Sequence, residues 1–299
     1  MKPLRRIALL AIILSFLTIN LCYGQNNAKQ IWAKGVEYAA QGKFKEAKGE
    51  FEKALKVDPL YGSAKRALKV IEDVVDQKIK SKTALHLFKG ISYSNKEQWD
   101  AAVAEVNKAL EINPRYAYAY NIRGLAYNRN GQHDKAIADY TKVIEINPRF
   151  ALPCSNRGFV YYIKGQYERA IADYTKAIEI DPRFVLPYSN RGIIYADKGQ
   201  HDKAIADFTK AIEINPSNAL PYGFRGASYA GKGQHERAIA DYTKFIEIDP
   251  IDALAYYNRG ISYNAKGNMK KACSDWKKAC ELGYCKSWGM LNKIRCLFK

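Results

Sequence analysis

A single period governs this chain. Pro114, Pro148, Pro182, Pro216 and Pro250 stand 34 residues apart, and Gly90, Gly124, Gly158, Gly192, Gly226 and Gly260 keep the same step. Ala102, Ala136, Ala170, Ala204, Ala238 and Ala272 follow it, as do Tyr93, Tyr127, Tyr161, Tyr195, Tyr229 and Tyr263. A fixed period of this size marks a repeat array, in which each unit buries its apolar face only against its neighbours. Six contiguous units run 83–116, 117–150, 151–184, 185–218, 219–252 and 253–286. A seventh, 28–61, carries Gly35, Tyr38, Ala47 and Pro59 at the same offsets.

Each unit reads as two amphipathic helices. In 151–184, Pro153 sits in a first helical turn, where its missing N–H costs nothing. A first helix then runs to about Lys164, and Gly165 ends it. A second helix from Tyr167 shows Ala170, Tyr174, Ala177 and Ile178 on one face, until Asp181-Pro182 stops it. Gly158 and Ala170 let the two backbones approach, and a larger residue at either would cost ~1–3 kcal/mol by overpacking. Residues 62–82 fall outside the period and predict one extra helix, Ala64 to Ile79, with a seam before residue 83. Val143 and Phe245 replace a small Ala of the second helix, and Phe245 is expected to widen the contact to the last unit.

The pattern resembles the tetratricopeptide repeat (TPR) family. Its large residue, Gly, Tyr, Ala, aromatic, Ala and Pro fall on Tyr188, Gly192, Tyr195, Ala204, Phe208, Ala211 and Pro216. The resemblance implies an all-α solenoid: a right-handed superhelix of about seven helix-turn-helix repeats, with the inserted helix and a capping helix over 287–299. It also implies a concave groove lined by the first helices, at positions 2, 5, 9 and 12 of each unit. These positions hold Tyr118, Asn121, Leu125 and Asn128 in the third unit, and Leu152, Ser155, Phe159 and Tyr162 in the fourth. They hold Leu186, Ser189, Ile193 and Ala196 in the fifth, then Leu220, Gly223, Ala227 and Ala230 in the sixth. The seventh offers Leu254, Tyr257, Ile261 and Asn264. Almost none is charged. A Lys-and-Asn clamp for a peptide carboxylate, which some relatives carry there, is missing. An uncharged groove suits an apolar peptide or an amphipathic helix, with Tyr162 and Tyr257 as the foremost contacts.

A charge pair recurs in every unit. The residue before each Gly is basic: Lys34, Lys89, Arg123, Arg157, Arg191, Arg225 and Arg259. Sixteen residues on stands an acid: Glu50, Glu105, Asp139, Asp173, Asp207, Asp241 and Asp275. Lys goes with Glu and Arg with Asp, which predicts an ion pair between the two helices. The alternative is a row of Arg reading phosphate or an acidic partner. Exposed pairs contribute ~0–1 kcal/mol, so register is their expected benefit.

No catalytic, cofactor or metal constellation stands out, and the chain is not expected to be an enzyme. His133, His201 and His235 share one repeat position on separate units and read as surface residues. Four of the six Cys lie in the last 27 residues. A hairpin turning at Leu282-Gly283 brings Cys280 to Cys285 and Cys273 to Cys296, predicting nested disulfides, with a zinc site as the rival. The run Lys278-Ala279-Cys280-Glu281-Leu282-Gly283 also resembles Sel1-like relatives of TPR units. Cys154 replaces a large side chain and reads as a buried free thiol.

The first 24 residues carry Lys2, Arg5 and Arg6, then an apolar run from Ile7 to Leu21, then Cys22-Tyr23-Gly24. This is the order of a secretory signal, cut before Gln25, and the run falls short of the ~20 residues of a spanning helix. Cys22 offers lipidation instead, although Leu21 is large for the residue preceding a lipidated Cys. The net charge is +18. It gathers at the ends: residues 266–299 hold nine Lys or Arg against two acids, and residues 29–82 thirteen against eight. The sequence therefore predicts an exported scaffold, periplasmic or secreted, that binds a protein or peptide and no nucleic acid. The alternative is a membrane-anchored lipoprotein assembly factor for an envelope complex, its basic C-terminal end on the membrane surface.

Overall fold

The computed structural model describes residues 23–59 and 61–285. The signal segment up to Cys22, the expected cap over 287–299 and Cys296 lie outside the described residues. Fifteen α-helices and no strand are found among the described residues. In chain order they are α1 (Tyr23–Ala40), α2 (Phe44–Val57), α3 (Gly62–Val75), α4 (Ser81–Asn95) and α5 (Trp99–Ile112). Then come α6 (Ala117–Arg129), α7 (His133–Ile146), α8 (Ala151–Ile163), α9 (Tyr167–Ile180) and α10 (Val185–Asp197). The last are α11 (His201–Ile214), α12 (Ala219–Gly231), α13 (His235–Ile248), α14 (Ala253–Ala265) and α15 (Met269–Glu281). No described helix is long and apolar enough to cross a membrane.

The chain forms two compact units that divide between Ile180 and Asp181. The first, from residue 23 in the described range, holds α1 to α9. The second holds α10 to α15. Inside each, two-helix hairpins pack side by side, the second helix of one against the first helix of the next.

Local chemistry repeats with the period. Gly131, Gly165, Gly199, Gly233 and Gly267 take φ of +72, +72, +72, +73 and +76° between the two helices, a conformation open to Gly at no steric cost. The next residue's N–H then returns to the preceding helix, as from Gln166 to the Tyr161 carbonyl at 2.8 Å. Between hairpins, Asn147 Oδ1 accepts from the Arg149 N–H, and Asp181 Oδ1 from the Arg183 N–H, at 3.3 and 3.0 Å.

The Gly on each first helix faces a large ring on the second, except Gly90, which faces Val106. A Cβ on Gly192 would lie 2.8 Å from Phe208 Cε1, and one on Gly260 would lie 2.6 Å from Trp276 Nε1. Phe245 does not widen the contact to the last unit. Its ring packs over Gly223, where a Cβ would sit 2.8 Å from Cδ2, and it joins Ile212, Tyr222 and Ala255 in one apolar cluster.

The N-terminal hairpin departs from the pattern. Outside its own hairpin, α4 packs chiefly along α1. Ser92 Oγ donates to Glu37 Oε1 at 2.8 Å, and Lys96 pairs with the same carboxylate at 3.0 Å. The extra helix ends at Val75, four residues before the sequence predicts. Gln77 takes φ +59°, the Ile79 N–H closes onto the Asp73 carbonyl at 3.1 Å, and Ile79 turns back into the core.

Cys280 and Cys285 form a disulfide. Cys273 is also disulfide-bonded. Cys154 is free and buried, and burial pushes its thiol pKa up. A thiol reagent added to the native chain 25–299 should leave Cys154 unmodified for hours and label it within minutes in guanidinium. Rapid native labelling would show that the junction around α8 opens readily.

Candidate functional site

In the third, fourth, sixth and seventh hairpins the Arg ties together three helices. Arg157 donates from Nε and Nη2 to the two oxygens of Asp173, each at 2.8 Å, and from Nη1 to Thr141 Oγ1 of the preceding hairpin at 2.8 Å. Arg123 grips Asp139 at 2.8 and 2.7 Å and reaches Asn107 at 2.7 Å. Arg225 grips Asp241 at 2.9 and 2.7 Å and reaches Thr209 at 3.0 Å. Arg259 grips Asp275 at 2.8 Å twice and reaches Thr243 at 3.1 Å. Arg191 holds Asp207 at 2.9 and 2.8 Å. All five aspartates are buried. Bidentate pairing holds each Arg pKa above its already high value, against the opposing effect of burial.

The Lys pairs are weaker. Lys34 reaches Glu50 at 3.4 Å, and Glu50 also takes Lys53 at 2.9 Å. The expected Lys89–Glu105 pair is not made. Glu105 is held by His86 at 2.8 Å and Lys108 at 2.6 Å, one turn from it on its own helix. The recurring Tyr has a role the sequence did not disclose. Tyr161 lies under Arg157 at 6.0 Å and Arg169 at 5.6 Å, and Tyr263 under Arg259 at 5.9 Å and Lys271 at 5.4 Å. These arginines are occupied within the fold, which removes the grounds for reading them as a phosphate ladder.

The inner face of each unit follows from the packing. First helices approach one another (α4, α6 and α8 in one unit, α10, α12 and α14 in the other), whereas second helices stay apart. The first helices therefore line the inner side. There Tyr118 is half-buried, and buried Asn121 accepts from Asn156 at 3.3 Å. Asn128 Oδ1 meets His133 Nδ1 at 3.1 Å, Ser155 is buried and Phe159 is half-buried. In the second unit Ser189 Oγ is buried without a hydrogen-bond partner, Ile261 is 40% exposed, and Asn264 is exposed.

Two sequence expectations change here. Tyr162 is buried, its ring 5.7 Å from Tyr167, and Tyr257 lies 5.1 Å from the ring of Tyr284. Tyr162 is therefore packed within the fold and presents little surface for a partner, whereas Tyr257 stays half-buried. The three His are half-buried, not surface residues. His201 Cε1 would lie 2.8 Å from a Cβ on Gly231, so the ring wedges between neighbouring hairpins. His133 finds Asn128, but Ala196 and Ala230 stand at the matching places further on. His201 Nδ1 and His235 Nδ1 are consequently buried without partners.

The helical pairs, their Gly–aromatic seams and their stacking agree with what family comparison finds. Family models described as TPR repeat match residues 158–199 and 226–267, and those described as tetratricopeptide repeat match 31–59, 117–150 and 185–218. Together these matches take in more than half of the chain. This chain belongs to the tetratricopeptide repeat family. No curated protein matches it. Among solved TPR structures it is similar to YrrB, described as a TPR protein with an unusual peptide-binding site, at 24% identity and TM-score 0.55 over 63% of this chain and 97% of that one. It is similar to MamA at 29% identity and TM-score 0.52, over 56% of this chain and 97% of that one. A TPR protein from Parabacteroides merdae matches at 21% identity and TM-score 0.52, over 91% of this chain and 98% of that one. The TPR fold is typically a non-catalytic scaffold for protein–protein interaction, and this chain shares that architecture.

Proposed function

We propose that this protein is an exported, non-enzymatic scaffold that holds a peptide or helix of a protein partner on the uncharged inner face of its repeats. The observation that carries the reading is the composition of that face. In the second unit it combines Leu186, Leu220, Leu254 and Ile261 with Ser189 Oγ, a buried polar atom that lacks a partner. Apolar area drives docking, and an unsatisfied polar atom rewards a ligand that supplies the missing hydrogen bond. The peptide-binding site of YrrB supports peptide as the ligand class. Export is supported by the order of residues 1–24 and by the Cys280–Cys285 disulfide, a bond that persists in oxidising compartments.

The test is capture of the partner from a cell-envelope extract by chain 25–299 and by its Ile261→Arg variant. Ile261 is exposed enough to change without unfolding the helix. Loss of at least ten-fold of a captured partner is expected, and equal capture by both chains would move binding off this face. The lipid-anchored alternative turns on Cys22, and the intact mass of the membrane-extracted chain decides it. An acylated N-terminal Cys22 would establish an anchor, and a chain starting at Gln25 would exclude one.

A further inference from the structure

α3 belongs to no 34-residue hairpin, yet it does not stand apart from the array. Arg66, Val70 and Asp73 share one of its faces at i, i+4 and i+7. Val70 is buried, Asp73 Oδ2 accepts from the Tyr116 hydroxyl at 3.2 Å, and the Arg66 guanidinium faces the Tyr118 hydroxyl. Tyr116 and Tyr118 flank the start of α6. Tyr118 is the second residue of its repeat and so an inner-face position. The corresponding residues one repeat earlier, Ala84, Leu87 and Ile91, are buried in the same apolar cluster as Ala67, Val70 and Ile71. Further along the unit the same positions carry the half-buried Leu125, Leu152 and Phe159.

We propose that α3 is an internal occupant of the N-terminal end of the inner face, and that the external ligand is an amphipathic helix competing with it for that seat. The proposal rests on the inner-face reading above and names its ligand class. α3 displays the chemistry required: a stripe of small and β-branched residues (Ala67, Val70, Val74) between a base and an acid that meet two phenol hydroxyls. Its hold on the seat is packing and those polar links alone: it has 14 residues, it buries Ala64, Ala67, Val70 and Ile71, it carries no part of the Arg–Asp pairing, and Val75 at its end is 74% exposed. An isolated helix of this length is marginal in water, so its order depends on the seat.

A fluorescein-labelled synthetic peptide of residues 62–79 tests this against the whole chain 25–299 by anisotropy. In the wild type the tethered α3 has a high effective concentration and keeps the peptide out. Val70→Asp unseats α3, and this variant is expected to bind the peptide at least ten-fold more tightly than the wild type. Arg66→Ala/Asp73→Ala removes only the polar links and should fall between them. It also serves if Val70→Asp loses helical circular dichroism. A peptide carrying Val70→Asp should bind none of the three. Equal binding by the wild type and the folded variants, or binding by none, overturns the proposal. If that happens while Ile261→Arg still loses its partner, the inner-face reading stands and only the role of α3 falls.

Discussion

Replacing Arg157 by alanine is expected to destabilise the junction between the third and fourth repeats by about 3–5 kcal/mol, the range for removing one partner of a buried pair. The sequence alone places these pairs among exposed ion pairs of little energy. The structure moves them to another class. Asp173 is buried, so alanine at 157 leaves a carboxylate without either of its two donors. Thr141 loses its link to the next hairpin at the same time, although its hydroxyl keeps the bond it donates to the Ile137 carbonyl at 2.7 Å. Arg157→Lys keeps the charge but replaces a planar fork by a single flexible ammonium, and it should recover less than half of the loss. Arg157→Ala/Asp173→Ala should be less damaging than Arg157→Ala, because no orphan charge remains. In a repeat array the damage is local before it is global. Hydrogen exchange across α7, α8 and α9 is therefore read beside denaturant unfolding. A loss below about 1 kcal/mol would return these pairs to the exposed class.

The staple shows what the sequence discloses and where it stops. Looking sixteen residues forward from each Arg finds the Asp, since the two types switch together along the chain. Looking sixteen residues back finds Asn107, Thr141, Thr209 and Thr243, which spacing alone does not distinguish from any other polar surface residue. They gain meaning only when one hairpin is laid against the next. The same limit explains the His residues. Their position at the start of a helix looks exposed until the neighbouring hairpin closes over the ring, as Gly231 does over His201. Helices, turns and the Gly–aromatic seam were legible because they depend on contacts within 34 residues. α3 was legible as a helix, but not its seat against Tyr116 and Tyr118, since Asp73 and Tyr116 lie 43 residues apart. The candidate face was legible in position and in charge. Which of its residues stay open was not. Tyr162 and Tyr257 each meet a second aromatic ring that the family pattern does not require.

Phe245→Ala carries the other large effect, an expected loss of about 3–5 kcal/mol from truncating a buried aromatic. The ring sits over Gly223 in a cluster with Ile212, Tyr222 and Ala255, and none of these can fill the space left behind. The converse change, Gly223→Ala, drives a Cβ to 2.8 and 3.0 Å from Cδ2 and Cε2 of a ring that cannot withdraw. It should cost about 1–3 kcal/mol. Position 5 of the first helix and position 27 of the second thus share one volume. The repeats divide it differently: Asn121 with Val143, Ser155 with Ala177, Ser189 with Ala211, Gly223 with Phe245, Tyr257 with Ala279. The last repeat reverses the sizes of the sixth. Gly223→Tyr/Phe245→Ala writes the last repeat's solution into the sixth, and it should recover most of what Phe245→Ala loses. The coupling between the two sites should then exceed about 1 kcal/mol, well beyond what independent sites show. A double variant no more stable than Phe245→Ala would mean that the cluster recognises the shape of the phenyl ring and not the volume it fills.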